Sequence, residues 1–122
     1  SSSTVCTPTR YGVLTGRYNW RSRLAKGVLS GTSDHLIPAD RPTVAHLLRN
    51  AGYHPQMIGK WHLGWDWPTK DGKPPIGIGR CDDPKSGSNV DFSKPIANGP
   101  TSRGFDYYFG TAVPNFPPYC FI

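Results

Sequence analysis

The clearest hydrophobic periodicity in the chain lies between residues 40 and 52. Its apolar positions follow the i, i+3, i+4, i+7 spacing of one helix face: Val44, Leu47, Leu48 and Ala51. Asp40 can cap the start of this helix, and Gly52 can end it. The pattern therefore predicts an α-helix between Asp40 and Gly52.

A short segment with few charges, residues 53–58, follows directly and predicts a strand despite Pro55. Helix, short loop and strand form the repeating unit of an α/β sheet, in which ligands collect at the carboxyl ends of the strands. Residues 59–64 come next and are predicted to be an extended loop. Lys60 and His62 alternate in it, so both side chains are expected on one side, where ligands bind.

The first stretch, residues 4–26, has Pro8 early, apolar residues in its middle and Gly16 after them. Proline in the first turn and glycine near the end predict a short helix. Cys6 then lies at or just before the helix N-terminus, where free N–H groups and the helix dipole favour negative charge. A thiol in that place is polarised or chemically addressable.

Residues 65–104 contain six glycines and six prolines without sustained periodicity, which predicts one long loop that is functional or disordered. Trp65 and Trp67 at its mouth either line a pocket or anchor the loop, and anchoring is favoured. The segment from Arg103 to Gly110 is predicted to turn into an aromatic strand, and the chain after Val113 is predicted to be extended.

Composition bounds the class of protein. In 122 residues, Leu, Ile, Val and Phe number 24 and Gly plus Pro number 27, so the chain is one loop-rich globular piece. No apolar run approaches the roughly 18 residues of a membrane span. The chain opens on Ser-Ser-Ser-Thr-Val without an initiator Met or a leader pattern. We therefore expect an internal piece of a longer protein, with any targeting segment outside it.

Charge is unevenly placed along the chain. The 14 basic and 8 acidic residues give a net charge of +6, and no acidic residue precedes Asp34. That start contains five basic residues: Arg10, Arg17, Arg21, Arg23 and Lys26. Such a field favours anionic partners, and its alternatives are a solvated face or a basic polyanion-binding module without catalysis. No nucleic-acid-binding motif is present.

The strongest local group of reactive residues is Cys6-Thr-Pro-Thr-Arg10. Arginine can make bidentate bonds to a tetrahedral oxyanion such as phosphate or sulfate. A cysteine-dependent phosphatase would have five residues, glycines among them, between its Cys and Arg, so that class is disfavoured. Cys81 and Cys120 fit neither metal-ligand spacing nor a disulfide framework and are expected to be spectator thiols, with their pairing open.

Two segments together resemble a known family. Val5-Cys-Thr-Pro-Thr-Arg-Tyr-Gly-Val-Leu-Thr-Gly-Arg17 resembles the first signature of the type I sulfatases, and Gly52-Tyr-His-Pro-Gln-Met-Ile-Gly-Lys-Trp-His62 resembles the second. Gly64-Trp-Asp-Trp67 and the segment from Pro100 to Gly110 are similar to arylsulfatases and N-acetylgalactosamine-6-sulfatases. The resemblance implies that residues 1–122 are part of a sulfatase catalytic domain, an incomplete alkaline-phosphatase-like α/β/α sandwich.

The resemblance also implies a chemistry, that of a formylglycine-dependent sulfuric ester hydrolase. Cys6 is the position that a maturation enzyme oxidises to Cα-formylglycine, whose hydrate is the nucleophile. Arg10 orients the hydrate, while Lys60 and His62 contact the hydrate and bind the sulfate. The implied substrates are carbohydrate or aryl sulfate esters, in a secreted, periplasmic or lysosomal protein. A phosphoesterase of the same fold would need Ser or Thr at position 6.

Calcium is the metal that the resemblance implies. The family holds it with two Asp residues upstream of the cysteine motif and an Asp-Asn pair downstream, none of which has its counterpart in these 122 residues. Asp82-Asp83 follows the motif and is not assigned to the metal. The matured Cys6 would be the only metal-contacting position, so we expect this chain alone not to hydrolyse sulfate esters at a useful rate.

Overall fold

The computed structural model describes residues 3–77 and 84–113, which contain both helices and parallel strands. The α-helices are α1 (Cys6–Thr15) and α2 (Val44–Asn50), and the strands are β1 (Gln56–Lys60) and β2 (Tyr107–Thr111). Short 3-10 helices lie at Asn19–Arg21 and Pro100–Arg103. The α/β fold class predicted from the sequence is confirmed.

Helix α1 follows the sequence prediction closely. It begins at Cys6, and Pro8 lies in its first turn, where a missing N–H leaves no partner unsatisfied. Gly16 ends it in the left-handed conformation at φ +67°, and its N–H donates to the carbonyl of Gly12 at 2.9 Å. Thr7, Pro8 and Tyr11 form the buried face.

Helix α2 begins later than predicted. Thr43, not Asp40, is the N-cap, because its hydroxyl accepts from the N–H of His46 and its own N–H donates to His46 Nδ1 at 3.1 Å. The prediction of Asp40 as the cap is therefore wrong, while Gly52, at φ +87°, lies directly after the end of the helix as predicted. The helix is buried through Ala45, and its larger apolar residues are exposed: Val44, Leu47 and Leu48.

Strand β1 also begins three residues later than predicted. The N–H of Tyr53 still closes α2 by donating to the carbonyl of Leu48 at 3.0 Å, so extended pairing starts only at Gln56. β1 pairs with β2 in parallel, from Gln56 opposite Tyr107 to Lys60 opposite Thr111. The N–H groups of Trp61 and His62 continue the ladder onto the carbonyls of Thr111 and Ala112.

Trp65 and Trp67 anchor the long loop, as the sequence favoured. Both are buried with their rings edge to face at 5.2 Å, and Trp67 Nε1 donates to the carbonyl of Gly31 at 2.9 Å. The described part of the predicted loop folds back on itself through two antiparallel bridges, Asp66 with Ala97 and Thr69 with Val90. The division into a domain with one long internal loop stays a prediction.

Arg103, near the end of this loop, is buried and bonded through all three of its side-chain nitrogens. Nε donates to the carbonyl of Ile37 at 2.8 Å, Nη1 to that of Ser102 at 2.9 Å, and Nη2 to Asn98 Oδ1 at 3.2 Å. Its own carbonyl accepts from the Thr43 hydroxyl at 2.7 Å. Arg103 therefore connects the loop to the start of α2.

Some sequence predictions fall outside the described residues: those on Cys81, Asp82-Asp83, Cys120 and the extended segment after Val113. Within residues 3–77 and 84–113, no helix has the length and apolar character that crossing a membrane requires.

Candidate active site

Thr7 joins the start of α1 to the residues that follow β1. Its side chain is fully buried, and its hydroxyl donates to the carbonyl of His62 at 3.1 Å while accepting from the N–H of Leu29 at 3.3 Å. Cys6, the preceding residue, is a partly exposed free thiol at the first position of the helix. The thiol is therefore carried on a helix turn that is fixed to the backbone of His62.

Arg10 extends from α1 to the end of β1. Its Nη1 donates to the carbonyl of Lys60 at 2.5 Å. Its Nε is buried and has no hydrogen-bond partner among the described residues. The guanidinium is thus held in place on one side and keeps an unused donor on another.

His62 lies just beyond β1 with its ring buried and its backbone in the left-handed region at φ +54°. Its Nε2 is 2.8 Å from the carbonyl oxygen of Leu29. A carbonyl can only accept, so Nε2 carries the hydrogen in this contact. Nδ1 is buried and has no partner within the described part of the chain.

The charge state of His62 follows from its surroundings. Burial lowers the pKa of His62 below its usual 6.5, the hydrogen bond to Leu29 raises it, and the positive charges of Lys60 and Arg10 lower it further. The net shift is downward, so the ring is neutral at pH 7. Nδ1 therefore presents a lone pair and can accept a hydrogen bond or a proton.

The predicted extended loop carrying Lys60 and His62 is corrected in one respect. Lys60 is the last residue of β1 and is half-buried, and His62 leaves the extended conformation two residues later. Strand alternation therefore does not relate their side chains. They are close because both lie at the edge of the sheet where β1 ends. There Arg10 donates to the carbonyl of Lys60, and the positive charges of Lys60 and Arg10 lower the pKa of His62.

Gly64 brings a second segment against the site. It lies at φ +69°, and a Cβ there would be only 2.0 Å from the carbonyl oxygen of Asp34. The N–H of Leu36 donates to the carbonyl of Leu63 at 2.8 Å beside it. This close approach holds residues 29–36 next to the site, including the Leu29 carbonyl that orients His62.

Thr7 and Leu29 are site residues that the sequence interpretation missed. Thr7 has a detectable signal, because its polar side chain lies one helical turn before Tyr11 on the buried face of α1. Leu29 acts through its carbonyl and N–H only, so its side chain carries no signal. Of the four predicted residues, Cys6 and Arg10 lie on α1, Lys60 is the last residue of β1, and His62 follows two residues later.

The described residues do not form a calcium site. Calcium takes six to eight oxygen ligands, with carboxylates prominent among them. Nowhere in residues 3–77 and 84–113 do three His, Cys, Asp or Glu side chains lie close enough to hold a metal ion. Cys6 brings a thiol, and Arg10 and Lys60 bring cations, which are not the oxygen ligands that calcium takes.

The arrangement combines three features at one sheet edge: a modifiable residue at a helix start, two cationic side chains, and a neutral imidazole with a free lone pair. Helix starts and guanidinium groups bind tetrahedral anions. A neutral imidazole can accept a proton from a nearby hydroxyl. The geometry therefore suits transfer of a group from an anionic ester.

Comparison with known proteins gives a consistent result. The family model described as Sulfatase matches residues 1–118. The N-acetylgalactosamine-6-O-sulfatase of Bacteroides thetaiotaomicron is 37% identical over 109 residues, which cover 89% of this chain and 17% of that protein. Human steryl-sulfatase is 32% identical over 120 residues, covering 94% and 17% respectively. The chain therefore spans less than a fifth of the length of these curated relatives.

Solved structures agree. One from work on glycosaminoglycan metabolism by Bacteroides thetaiotaomicron matches all of this chain and 22% of its own, with a TM-score of 0.75 and 32% identity. Another, a complex with k-i-k-neocarrahexaose, has a TM-score of 0.54 at 23% identity and covers 92% of this chain and 18% of its own. The second likeness concerns the fold alone.

Proposed function

The chain belongs to the sulfatase family, and on that premise we propose that it carries the nucleophile and two sulfate-binding side chains of a sulfuric ester hydrolase. Its described residues are part of the alkaline-phosphatase-like α/β fold of those relatives. One structural observation carries the proposal. Arg10 Nε and His62 Nδ1, both buried and without a partner among the described residues, lie at the sheet edge to which the start of α1 is bonded.

Cys6 is the proposed nucleophile position, after oxidation to Cα-formylglycine by a maturation enzyme. When matured, it would supply a hydrated aldehyde whose hydroxyl attacks the ester sulfur as the alcohol leaves. The partial positive charge at the start of α1 favours the sulfate anion there. Partial exposure of Cys6 in the described structure is compatible with access by a substrate.

Arg10 and Lys60 are the proposed groups for charge stabilisation. The bond from Arg10 Nη1 to the Lys60 carbonyl fixes the guanidinium, so its free Nε can orient the hydroxyl group at position 6. The Lys60 ammonium is proposed to bind the sulfate oxygens. Fixed donors in a partly buried site stabilise the spreading negative charge of the transition state without reorganising.

His62 is the proposed proton acceptor. Because Nε2 donates to Leu29 and the ring is neutral, Nδ1 can take a proton from a hydroxyl at position 6. The charges of Lys60 and Arg10 disfavour a lasting imidazolium, so the proton is readily passed to the oxygen of the leaving alcohol. Thr7 holds the His62 backbone in register for this step.

The proposed substrates are sulfate esters. Sulfated glycans are favoured over small aryl sulfates because one relative is an N-acetylgalactosamine-6-O-sulfatase and a solved structure at 32% identity comes from work on glycosaminoglycan metabolism. The calcium ion is proposed to be held by carboxylates outside the described residues, with the matured Cys6 contacting it. The chain alone is proposed to be inactive without that ion. A secreted, periplasmic or lysosomal location is proposed on family grounds.

The test is co-expression with a formylglycine-generating maturation enzyme, followed by mass spectrometry of the Cys6 peptide. We expect an aldehyde at position 6, captured by a hydrazide probe, while the Cys81 and Cys120 peptides serve as internal controls and stay unlabelled. Cys6→Ala should abolish labelling. If Cys6 remains entirely a thiol under conditions that mature a control sulfatase, the proposal fails.

A further inference from the structure

A surface cavity apart from the proposed active site contains three arginines. It has a volume of about 350 Å³, and Arg21, Arg23 and Arg41 lie in its wall. Among the lining residues, Asp34 is the one that brings a carboxylate. Three guanidinium groups against one carboxylate leave an excess of positive charge in a concave site.

Two of these arginines have their side chains available to a ligand. Arg23 donates to the backbone carbonyls of Asp34 and His35, at 2.5 and 3.2 Å, so it holds the wall together. The side chains of Arg21 and Arg41 make no hydrogen bond or ion pair with any residue that the structure describes. Their donors can therefore all be used to bind an anionic group.

An exposed aromatic pair lies next to the cavity residue Arg21 in the sequence. Tyr18 and Trp20 stack with their ring centres 4.2 Å apart and their planes 9° from parallel, and they are 53% and 57% exposed. Trp20 and Arg21 belong to one 3-10 helix, which buried Asn19 ties down by donating to the carbonyl of Leu24 at 2.9 Å. The pair is thus a fixed, flat and apolar surface of the kind that fits a sugar ring face.

We propose that the cavity and the aromatic pair form a second glycan subsite. Arg21 and Arg41 bind a sulfate or carboxylate group of an acidic sugar, and the Tyr18–Trp20 pair packs on the ring of a neighbouring sugar. The inference rests on the proposed function and deepens it, because it makes the substrate an acidic polysaccharide with several anionic groups. A small aryl sulfate could fill only the site at Cys6.

The two sites share structural elements. Tyr11, which follows Arg10 in α1, lines the cavity, so one helix contributes to both sites. Leu36 lines the cavity as well and donates its N–H to the carbonyl of Leu63, directly after His62. A polysaccharide bound at the cavity is therefore held against the same elements that position the proposed catalytic residues.

The test measures binding to the Cys6→Ala protein, so that catalysis and maturation do not enter. The probe is a chondroitin 6-sulfate tetrasaccharide, titrated calorimetrically. Arg21→Gln and Arg41→Gln should each raise Kd about fivefold, the upper range for an exposed ionic contact. Lys26→Gln removes one positive charge from the acid-free segment that also contains Arg21, outside the cavity wall, and should change Kd by less than about twofold.

Further probes identify the recognised group. Trp20→Ala should weaken tetrasaccharide binding as well, with the unfolding temperature of each variant checked to exclude misfolding. A chemically desulfated tetrasaccharide, which keeps its carboxylates, is compared on the Cys6→Ala protein with and without Arg21→Gln. If Arg21→Gln still weakens its binding, the recognised group is a carboxylate; if the effect of Arg21→Gln disappears, it is a sulfate. Equal binding of a neutral chitin tetrasaccharide overturns the proposal, as does equal weakening by Lys26→Gln.

Failure of this inference is distinguishable from failure of the proposed function. If Cys6 is not matured but the arginine variants weaken binding selectively, the chain has an acidic-glycan subsite without the nucleophile. If Cys6 is matured and the arginine variants bind like the unchanged protein, the sulfatase proposal stands and the second subsite does not exist.

Discussion

Arg103 and Arg10 both donate to backbone carbonyl oxygens, and they differ in what they leave unpaired. Arg103, in the loop, is buried with Nε, Nη1 and Nη2 each bonded. Arg10, at the sheet edge, uses Nη1 on Lys60 and leaves a buried Nε without a partner among the described residues. A buried donor without a partner costs about 1–3 kcal/mol, so full pairing suits a framework and an unused donor suits a ligand site.

The histidines also differ in whether a ring nitrogen is paired, and Trp65 shows that an unpaired nitrogen alone is not enough to mark a site. His46 and His35 use Nδ1 on Thr43 and Asp66, while Nδ1 of His62 has no partner in the part of the chain that the structure describes. Trp65 Nε1 is also buried and unpaired within the described residues, yet its ring lies edge to face with Trp67 and Tyr108 in the core. An unpaired atom therefore indicates a ligand site only where charges and a reactive residue accompany it.

The largest effect on the free energy of unfolding is expected at Gly64, which packs against the backbone of Asp34. Gly64→Ala places a methyl group 2.0 Å from the Asp34 carbonyl and should cost about 4 kcal/mol or more, because backbone must move. Gly72→Ala is the matched control, with φ +68° but nothing within 4 Å, and should cost only about 1 kcal/mol. Urea unfolding measures both, and equal losses would show that the close approach does not exist.

The arginine comparison itself is tested by paired substitutions. Arg103→Met leaves the Ile37 carbonyl and Asn98 without their donor and should lower the free energy of unfolding by about 3 kcal/mol. Arg10→Met gives up one bond and one unpaired donor and should cost at most about 1 kcal/mol. If Arg10→Met proves the more destabilising change, Arg10 belongs to the framework and the proposed role is lost.

The next smaller effect is expected at Thr7, which fixes the start of α1 to the backbone of His62 and Leu29. Thr7→Val removes the hydroxyl from the buried His62 carbonyl and Leu29 N–H and should cost about 2 kcal/mol. Thr9→Val is the control, because the Thr9 hydroxyl bonds only to carbonyls near its own helix start, and should cost about 0.5 kcal/mol. Thr7→Ser should recover most of the loss in chemical unfolding, and a failure to do so would assign the effect to packing.

The sequence predicts local features well, and contacts between distant segments less well. Pro8 and Gly16 set α1 because proline and glycine act on their own backbone. Asp40 failed as a cap because Thr43, three residues later, forms reciprocal hydrogen bonds with His46. The close approach at Gly64 and the Leu29 carbonyl depend on residues far apart in the chain, so no local pattern contains them.

The smallest expected effect concerns the charge of His62 and is seen in the pH dependence of the free energy of unfolding. The folded protein lowers the pKa of His62 below 6.5, so the unfolded chain takes up a proton first as the pH falls. The stability contributed by the neutral ring is complete above about pH 6.5 and is lost as the pH decreases below it, levelling off under the folded pKa.

His62→Gln should therefore flatten the slope of unfolding free energy between about pH 5 and pH 7, measured by urea titration at each pH. His54→Gln, at a ring that is 89% exposed, is the control for replacing a surface histidine by glutamine. An unaltered slope in His62→Gln would mean that His62 is equally protonated in the folded and unfolded chains. Burial would then not keep the ring of His62 neutral. The difference between the site and the fully paired Arg103 would rest on Arg10 alone.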